Sequence, residues 1–333
     1  MSFIEEIKNR AKQQIKTIIL PEATDIRILK AAQIVNKEKY AKVMLIGNKE
    51  EIERLIKENN LELGDTQIID PAKSEETSEY AKELYELRKA KGMTEEQAQK
   101  LILEPIYYGM MMVKLNHADG LVSGAAHSTA DTLRPALQIL KTAPGTKLVS
   151  AFFVMVVPNC EYGANGTFIF ADSGLNEEPD ADKLSEIAIS SSKSFKQLVG
   201  EEPKVAMLSY STYGSAHSAS TEKVVEATRL AKEKAPELLI DGELQLDAAI
   251  IPEVAEFKAK GSPLKGEANV LVFPDLGAGN IGYKLTQRLA KAEAYGPLCQ
   301  GIARPVNDLS RGCSSEDVAG VVAITAVQAQ SQG

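Results

Sequence analysis

The feature that most constrains this chain is an alternation that runs its whole length. Short apolar, β-branched runs give way again and again to stretches whose apolar residues recur at helical spacing. The strand-like runs are KTIILP, AKVMLIG, TQIID, DGLVSG, KLVSAFFVMVVP, TFIFAD, KVAMLS, LLIDGEL and NVLVFP, with a weaker LCQGIA. Between them lie segments such as DIRILKAAQIVNKE and TEKVVEATRLAKEKA. That order predicts an α/β fold with mainly parallel sheets. With 333 residues the chain exceeds the roughly 100–200 residues of a typical domain, so two α/β domains are expected. The stretch from Lys73 to Leu115 reads as helical, without a clear strand. LKTAPGTK, around Pro144 and Gly145, reads as a crossing between domains. In NCEYGANGTF, Asn165 and Gly166 supply the positive φ that a tight turn needs.

Composition narrows the function classes. A net charge of −8 leaves no overall basic field for nucleic acid, so any anion site must be built locally from a few arginines and backbone N–H groups. Three separated cysteines form neither a disulfide framework nor a metal motif and fit a reducing, cytoplasmic setting. The opening MSFIEEIKNRAKQQIK is a charged amphipathic helix rather than a signal peptide. LVSAFFVMVVP is about half the length of a membrane span. No metal site is expected.

Gly277 to Gly282 spell GAGNIG, a G-x-G-x-x-G pattern of the dinucleotide-binding kind. Its context is poor, because Pro274, Asp275 and Leu276 separate it from the strand. No acid follows at the distance that holds a ribose. What remains is a glycine-lined helix start, which either faces an anion or packs tightly. A second pattern is internal: Gly124-Ala-Ala-His-Ser128 and Gly214-Ser-Ala-His-Ser218 share G-x-A-H-S. Each reads either as a coincidence of small turn residues or as an anion-binding turn.

Several stretches can carry chemistry. In RPVNDLSRGCSSEDVAG, Arg311 sits in a glycine-flanked turn beside Ser310, and its planar fork suits a tetrahedral phosphate. Asp317 opens the last helix, where Ser314-x-x-Asp317 also reads as a capping box. Ser128 and Thr129 start another helix as caps or as anion donors, with Arg134 following; His127 reads as a structural histidine. Arg88 lies near a helix end. Cys160 sits in a loop without an evident local base. Asp241, Glu243 and Asp275 end strands, as turn and cap acids or as oxygen ligands for Mg²⁺. Together these features describe an enzyme acting on a phosphorylated or anionic small molecule.

The residues resemble the phosphate acetyl/butyryltransferase family, the phosphotransacetylases in their short form, over essentially the whole chain. The resemblance rests on PEATDIRILKAA, SGAAHSTADTLRPALQI, VPNCEYGANGTFIFADSG, KVAMLSYSTYGSAHS, IDGELQLDAAI, VFPDLGAGNIGYKLTQRLAKAEAYGP and PVNDLSRGCSSEDV. The family usually has a polar residue where Gly277 stands, so the dinucleotide pattern is completed here by chance. The resemblance implies two α/β/α domains with a cleft between them, similar to isocitrate and isopropylmalate dehydrogenases. Residues 1–145 with 300–333 would form the first domain and 146–299 the second. It implies a homodimer that moves acetyl groups between coenzyme A and phosphate, with coenzyme A as substrate and no permanent cofactor. Acetyl-CoA and acetyl phosphate are then the other substrates; neither nucleic acid nor membrane is a partner. Carried over by position, Asp317, Arg311 and Ser310 are catalytic. Arg88 and Arg134 bind coenzyme A or phosphate, and Cys160 lies near the site. Phosphate butyryl transfer is the alternative, and a metal- and NAD-dependent decarboxylating dehydrogenase a remoter one.

Overall fold

The computed structural model describes residues 2–331, and the chain divides into two units: residues 1–144 with 302–333, and residues 145–301. Each of the ten predicted strand runs forms a strand, and among the described residues there is an eleventh that no run covers. In chain order they are β1 (Thr17–Leu20), β2 (Lys42–Ile46), β3 (Gln67–Ile69), β4 (Gly120–Ser123), β5 (Ser150–Val156), β6 (Thr167–Ala171), β7 (Lys204–Leu208), β8 (Leu239–Leu244), β9 (Val270–Val272), β10 (Glu293–Gln300) and β11 (Val306–Asp308).

Among the described residues, the first unit holds a sheet of order β11-β4-β1-β2-β3, parallel throughout. Ile18, Ile19 and Leu20 of β1 are fully buried, as a strand covered on both faces requires. The chain runs from β1 outward to β2 and β3, then returns to the other side of β1 for β4. That reversal makes the carboxyl ends of β1 and β4 a topological switch point, where open α/β sheets bind ligands. The last helix, Ser315–Gln330, is buried at every position from Val318 to Ala329. Its small residues let it sit against both the sheet and the helix Ile26–Glu38, and the buried Tyr40 hydroxyl donates to the Ala319 carbonyl at 2.9 Å.

The second unit holds a sheet of order β10-β5-β6-β9-β7-β8. Its β6, β9, β7 and β8 run parallel, whereas β5 pairs antiparallel with both β6 and β10. The β5–β6 hairpin closes through Asn165 at φ 49° and Gly166 at φ 85°, the turn residues expected there.

Two strands differ from the sequence reading. β10 starts at Glu293, well before LCQGIA, and its pairing with β5 is interrupted between Tyr295 and Leu298 around Gly296-Pro297, which breaks the apolar pattern. β11 was missed, because a three-residue strand after a proline carries too short a pattern to register. GAGNIG is not a phosphate cradle. Its glycines lie inside the helix Leu276–Leu289, and the Asp275 carboxylate already caps the start by accepting from Ala278 N at 2.8 Å. A side chain at Gly279 would come within 2.3 Å of the Asp172 carbonyl, so close packing is what this glycine serves.

Candidate functional site

The carboxyl ends of β1, β4 and β11 lie side by side and continue into three loops that bond to one another. From β4 the chain enters Gly124-Ala-Ala-His127. Gly124 takes φ +118°, and a β-carbon there would stand 2.2 Å from Asp308 Oδ1 and 2.6 Å from Leu309 N. Only glycine lets this turn cross over the end of β11. Four consecutive backbone N–H groups of the turn converge. They do not face open solvent as a ready anion site, the possibility that the G-x-A-H-S pattern raised. The buried carboxylate of Glu22, just past β1, accepts from all of them: Gly124 and Ala125 at 2.9 Å on Oε2, Ala126 and His127 at 2.8 Å on Oε1. The His127 ring joins through Nδ1 at 2.8 Å. The second G-x-A-H-S turn does the same on a smaller scale, with Gly214 N donating to buried Glu243 at 2.7 Å.

From β11 the chain enters Leu309-Ser310-Arg311-Gly312-Cys313. This is a tight turn closed by Cys313 N donating to the Ser310 carbonyl at 2.9 Å. Ser310 and Arg311 are exposed at its tip. The Arg311 guanidinium donates to the His127 carbonyl at 2.9 Å, so the two turns are pinned together. Arg27 pins them again. Its Nη1 reaches the carbonyls of Arg311 (2.7 Å) and Cys313 (3.1 Å), its Nη2 the carbonyl of Ala125 (2.8 Å), while Asp25 pairs with it at 2.6 Å. The side-chain hydrogen bond from Arg27 holds the Asp25 carboxyl below the usual carboxylate range. Burial pushes the Cys313 thiol up to about 11, against the pull of Arg27, so it stays protonated and unreactive at neutral pH.

Asp317 is exposed in the first turn of the last helix, and both halves of its capping box form. Ser314 N donates to Asp317 Oδ2 at 2.8 Å, and Asp317 N donates to the Ser314 hydroxyl at 3.0 Å. Ser128 caps the helix Thr129–Ile139: its hydroxyl accepts from Asp131 N at 3.1 Å and donates to the Asp131 carboxylate at 2.6 Å. The Thr129 hydroxyl donates to Asp308 at 2.6 Å. Both hydroxyls are therefore engaged within the unit.

Arg88 and Arg134 both act electrostatically on Tyr107, opposing the rise that burial gives its hydroxyl. Arg134 is exposed and pairs with Asp131 at 3.4 Å. The Arg88 Nε is buried and, among the described residues, has no hydrogen-bond partner. Cys160 lies in the second unit, at the turn between β5 and β6, and packs on that unit's core. Asp241 accepts from Lys232, Tyr213 and Ser262, which leaves it a structural acid.

Sequence reasoning missed Glu22, Arg27, Tyr107 and Asp308. PEATDIRILKAA entered only as a stretch that carries the family resemblance, with no role given to either side chain. The signal available was an acid and an arginine flanking a strand end, which is common in any α/β chain.

The fold and site define an α/β protein whose candidate site, the exposed Ser310-Arg311 turn, lies beyond the carboxyl ends of parallel strands, where open sheets bind ligands. The comparisons narrow that class. A profile described as phosphate acetyl/butaryl transferase matches residues 2–326. The phosphate acetyltransferase of Acetivibrio thermocellus is 69% identical over 330 residues, 99% of each chain. A phosphotransacetylase structure from Streptococcus pyogenes superposes with a TM-score of 0.93 at 42% identity, covering 99% of this chain and 100% of the other. A 4-hydroxythreonine-4-phosphate dehydrogenase candidate from Salmonella typhimurium shares the fold alone, at a TM-score of 0.54 and 11% identity over 94% of this chain and 99% of the other. The chain belongs to the phosphate acetyl/butaryl transferase family.

Proposed function

We propose that this protein catalyses reversible acetyl transfer, acetyl-CoA plus phosphate giving acetyl phosphate plus CoA, by direct attack within a ternary complex. The observation that carries the reading is the exposed Ser310-Arg311 turn beyond the strand ends of the first unit, in a chain of this family. In the acetyl-CoA-forming direction, the CoA thiol gives its proton to Asp317 as sulfur attacks the acetyl carbonyl. The bond from carbonyl carbon to phosphate oxygen breaks, and phosphate leaves toward Arg311 and Ser310. A guanidinium aimed at the developing oxyanion and the departing phosphate lowers the barrier more than it tightens ground-state binding. A free carboxylate and a free thiol differ by about 4.6 pKa units, roughly 6 kcal/mol, so proton transfer accompanies attack rather than preceding it. Arg88 and Arg134 bind CoA or phosphate, with Ser128, Thr129 and Cys160 as the further substrate-binding residues.

The test is thiol release from acetyl-CoA that depends on added phosphate, with no metal or nicotinamide supplied. Acetyl phosphate and free CoA should appear together; CoA binding without thiol release would leave only a binding module. The family description also covers butyryl transfer. A pocket distinguishes one methylene by only about 1–3 kcal/mol, so parallel turnover of acetyl- and butyryl-CoA decides the acyl preference.

The same reading includes a cytoplasmic homodimer. Ile281, Leu285 and Leu289 form an exposed apolar stripe along the helix Leu276–Leu289, at 60%, 52% and 78% exposure, which supports burial against a second copy. Among the described residues no helix is long and apolar enough to cross a membrane. Sedimentation velocity tests the assembly: Leu285→Glu should shift a dimer toward monomer.

A further inference from the structure

We infer that Glu22 is a positioning residue for Arg311: its carboxylate gathers the amides of residues 124–127 into a fixed turn, whose last carbonyl holds the arginine in the orientation that transfer uses. The inference rests on Arg311 acting in the reaction and goes beyond it by naming what fixes that guanidinium.

The argument starts from cost. A buried carboxylate is tolerated only when its lone pairs are satisfied. Glu22 is 3% exposed, and both its oxygens are filled by five donors, four of them consecutive backbone amides. A turn of converging amides is ordinarily a concave anion site. Here the chain supplies the anion itself, so the turn keeps one shape whether or not substrate is bound. The consequence falls on His127. Glu22 anchors this residue twice, through its backbone N–H and its ring Nδ1, and the His127 carbonyl, in the next peptide unit, accepts from Arg311. Gly124 presses the near end of the turn onto Asp308 and Leu309, at the root of the Arg311 loop. The loop is thus gripped at its base and at its tip by one turn, and that turn is shaped by one carboxylate. A preorganised cation accelerates transfer because it needs no reorientation as charge develops.

The experiment is a double-mutant cycle of Glu22→Gln and Arg311→Ala, read as kcat and KM for acetyl-CoA and phosphate. Glutamine keeps the shape but presents an NH₂ to amides that need acceptors. Glu22→Gln should lower kcat roughly tenfold to a hundredfold while KM for acetyl-CoA stays within about threefold. The double variant should be no slower than Arg311→Ala within about threefold, because residues acting as one unit are not additive. Losses that multiply, or a Glu22→Gln enzyme within twofold of wild type, overturn the inference. An Arg311→Ala enzyme of near-normal rate instead removes the reading of the site on which it rests. Should glutamine prevent folding, Glu22→Asp, which keeps the charge on a shorter arm, runs the same cycle with the same two outcomes.

Discussion

The hydroxyl of Thr129 donates to the carboxylate of Asp308 at 2.6 Å, joining the first residue of one helix to the last residue of β11 across 179 positions of sequence. Asp308 is 1% exposed, and its other oxygen has no hydrogen-bond partner among the described residues. Burial pushes its pKa up to about 6. The Thr129 hydroxyl, the Leu309 N–H and Arg311 oppose that rise, and Glu22 adds to it.

This raised value fixes the sign of a pH effect. The folded state holds the Asp308 proton more tightly than the unfolded chain does, so the group favours folding least above about pH 6. Its contribution becomes less favourable between about pH 4 and 6 as pH rises, by an amount on the order of 3 kcal/mol. Asp308→Asn cannot ionise and its side-chain oxygen can still accept from Thr129. The stability of Asp308→Asn relative to wild type should therefore rise between pH 4 and 6, then level off. Urea unfolding midpoints at several pH values measure it; a pH-independent difference sinks the assignment.

Arg311→Lys keeps the charge but loses the fork that both grips the His127 carbonyl and can meet phosphate in parallel. A kcat loss of about 10²–10³-fold is expected, the scale of removing a transition-state donor. Steady-state kinetics with near-normal turnover would make the arginine peripheral.

Asp317 has two duties that separate by substitution. Asp317→Asn retains an oxygen for the Ser314 N–H, so the helix start survives while proton acceptance is lost; kcat should fall far more than CoA affinity measured by calorimetry. Ser314→Ala removes the reciprocal cap and should cost about 1 kcal/mol of stability, with a smaller effect on turnover. Equal turnover in Asp317→Asn and wild type rejects the base.

Cys160→Ser should keep most activity, and mass spectrometry of the wild-type enzyme mixed with acetyl-CoA should find no acetylated Cys160. Complete loss of activity together with a trapped thioester overturns direct transfer.

Much of the fold is legible in the sequence, because strand and helix periods are local. KTIILP and KVAMLS announce themselves by continuous apolar character, and Asn165-Gly166 marks its hairpin by the backbone conformation it permits. β11 escaped because three residues after Pro305 carry too little pattern. At the candidate site, Ser314-x-x-Asp317 announced its capping box, since a cap spans a single turn. GAGNIG misled as a pattern and was corrected by its context, and the structure adds why: Gly279 packs against the Asp172 carbonyl.

The sequence by itself determined the order of strands and helices, the caps that start them, and the candidates Ser310, Arg311 and Asp317, because each is written within one turn or one strand. Only the tertiary structure decided that Glu22 fills the amides of a turn 102 to 105 positions away, and that Arg27 holds the carbonyl of Arg311 284 positions away. Which loops meet is settled by which strands lie side by side, here β1 and β11 on either side of β4. That adjacency follows from burying whole faces of a sheet at once, and no local stretch of residues encodes it.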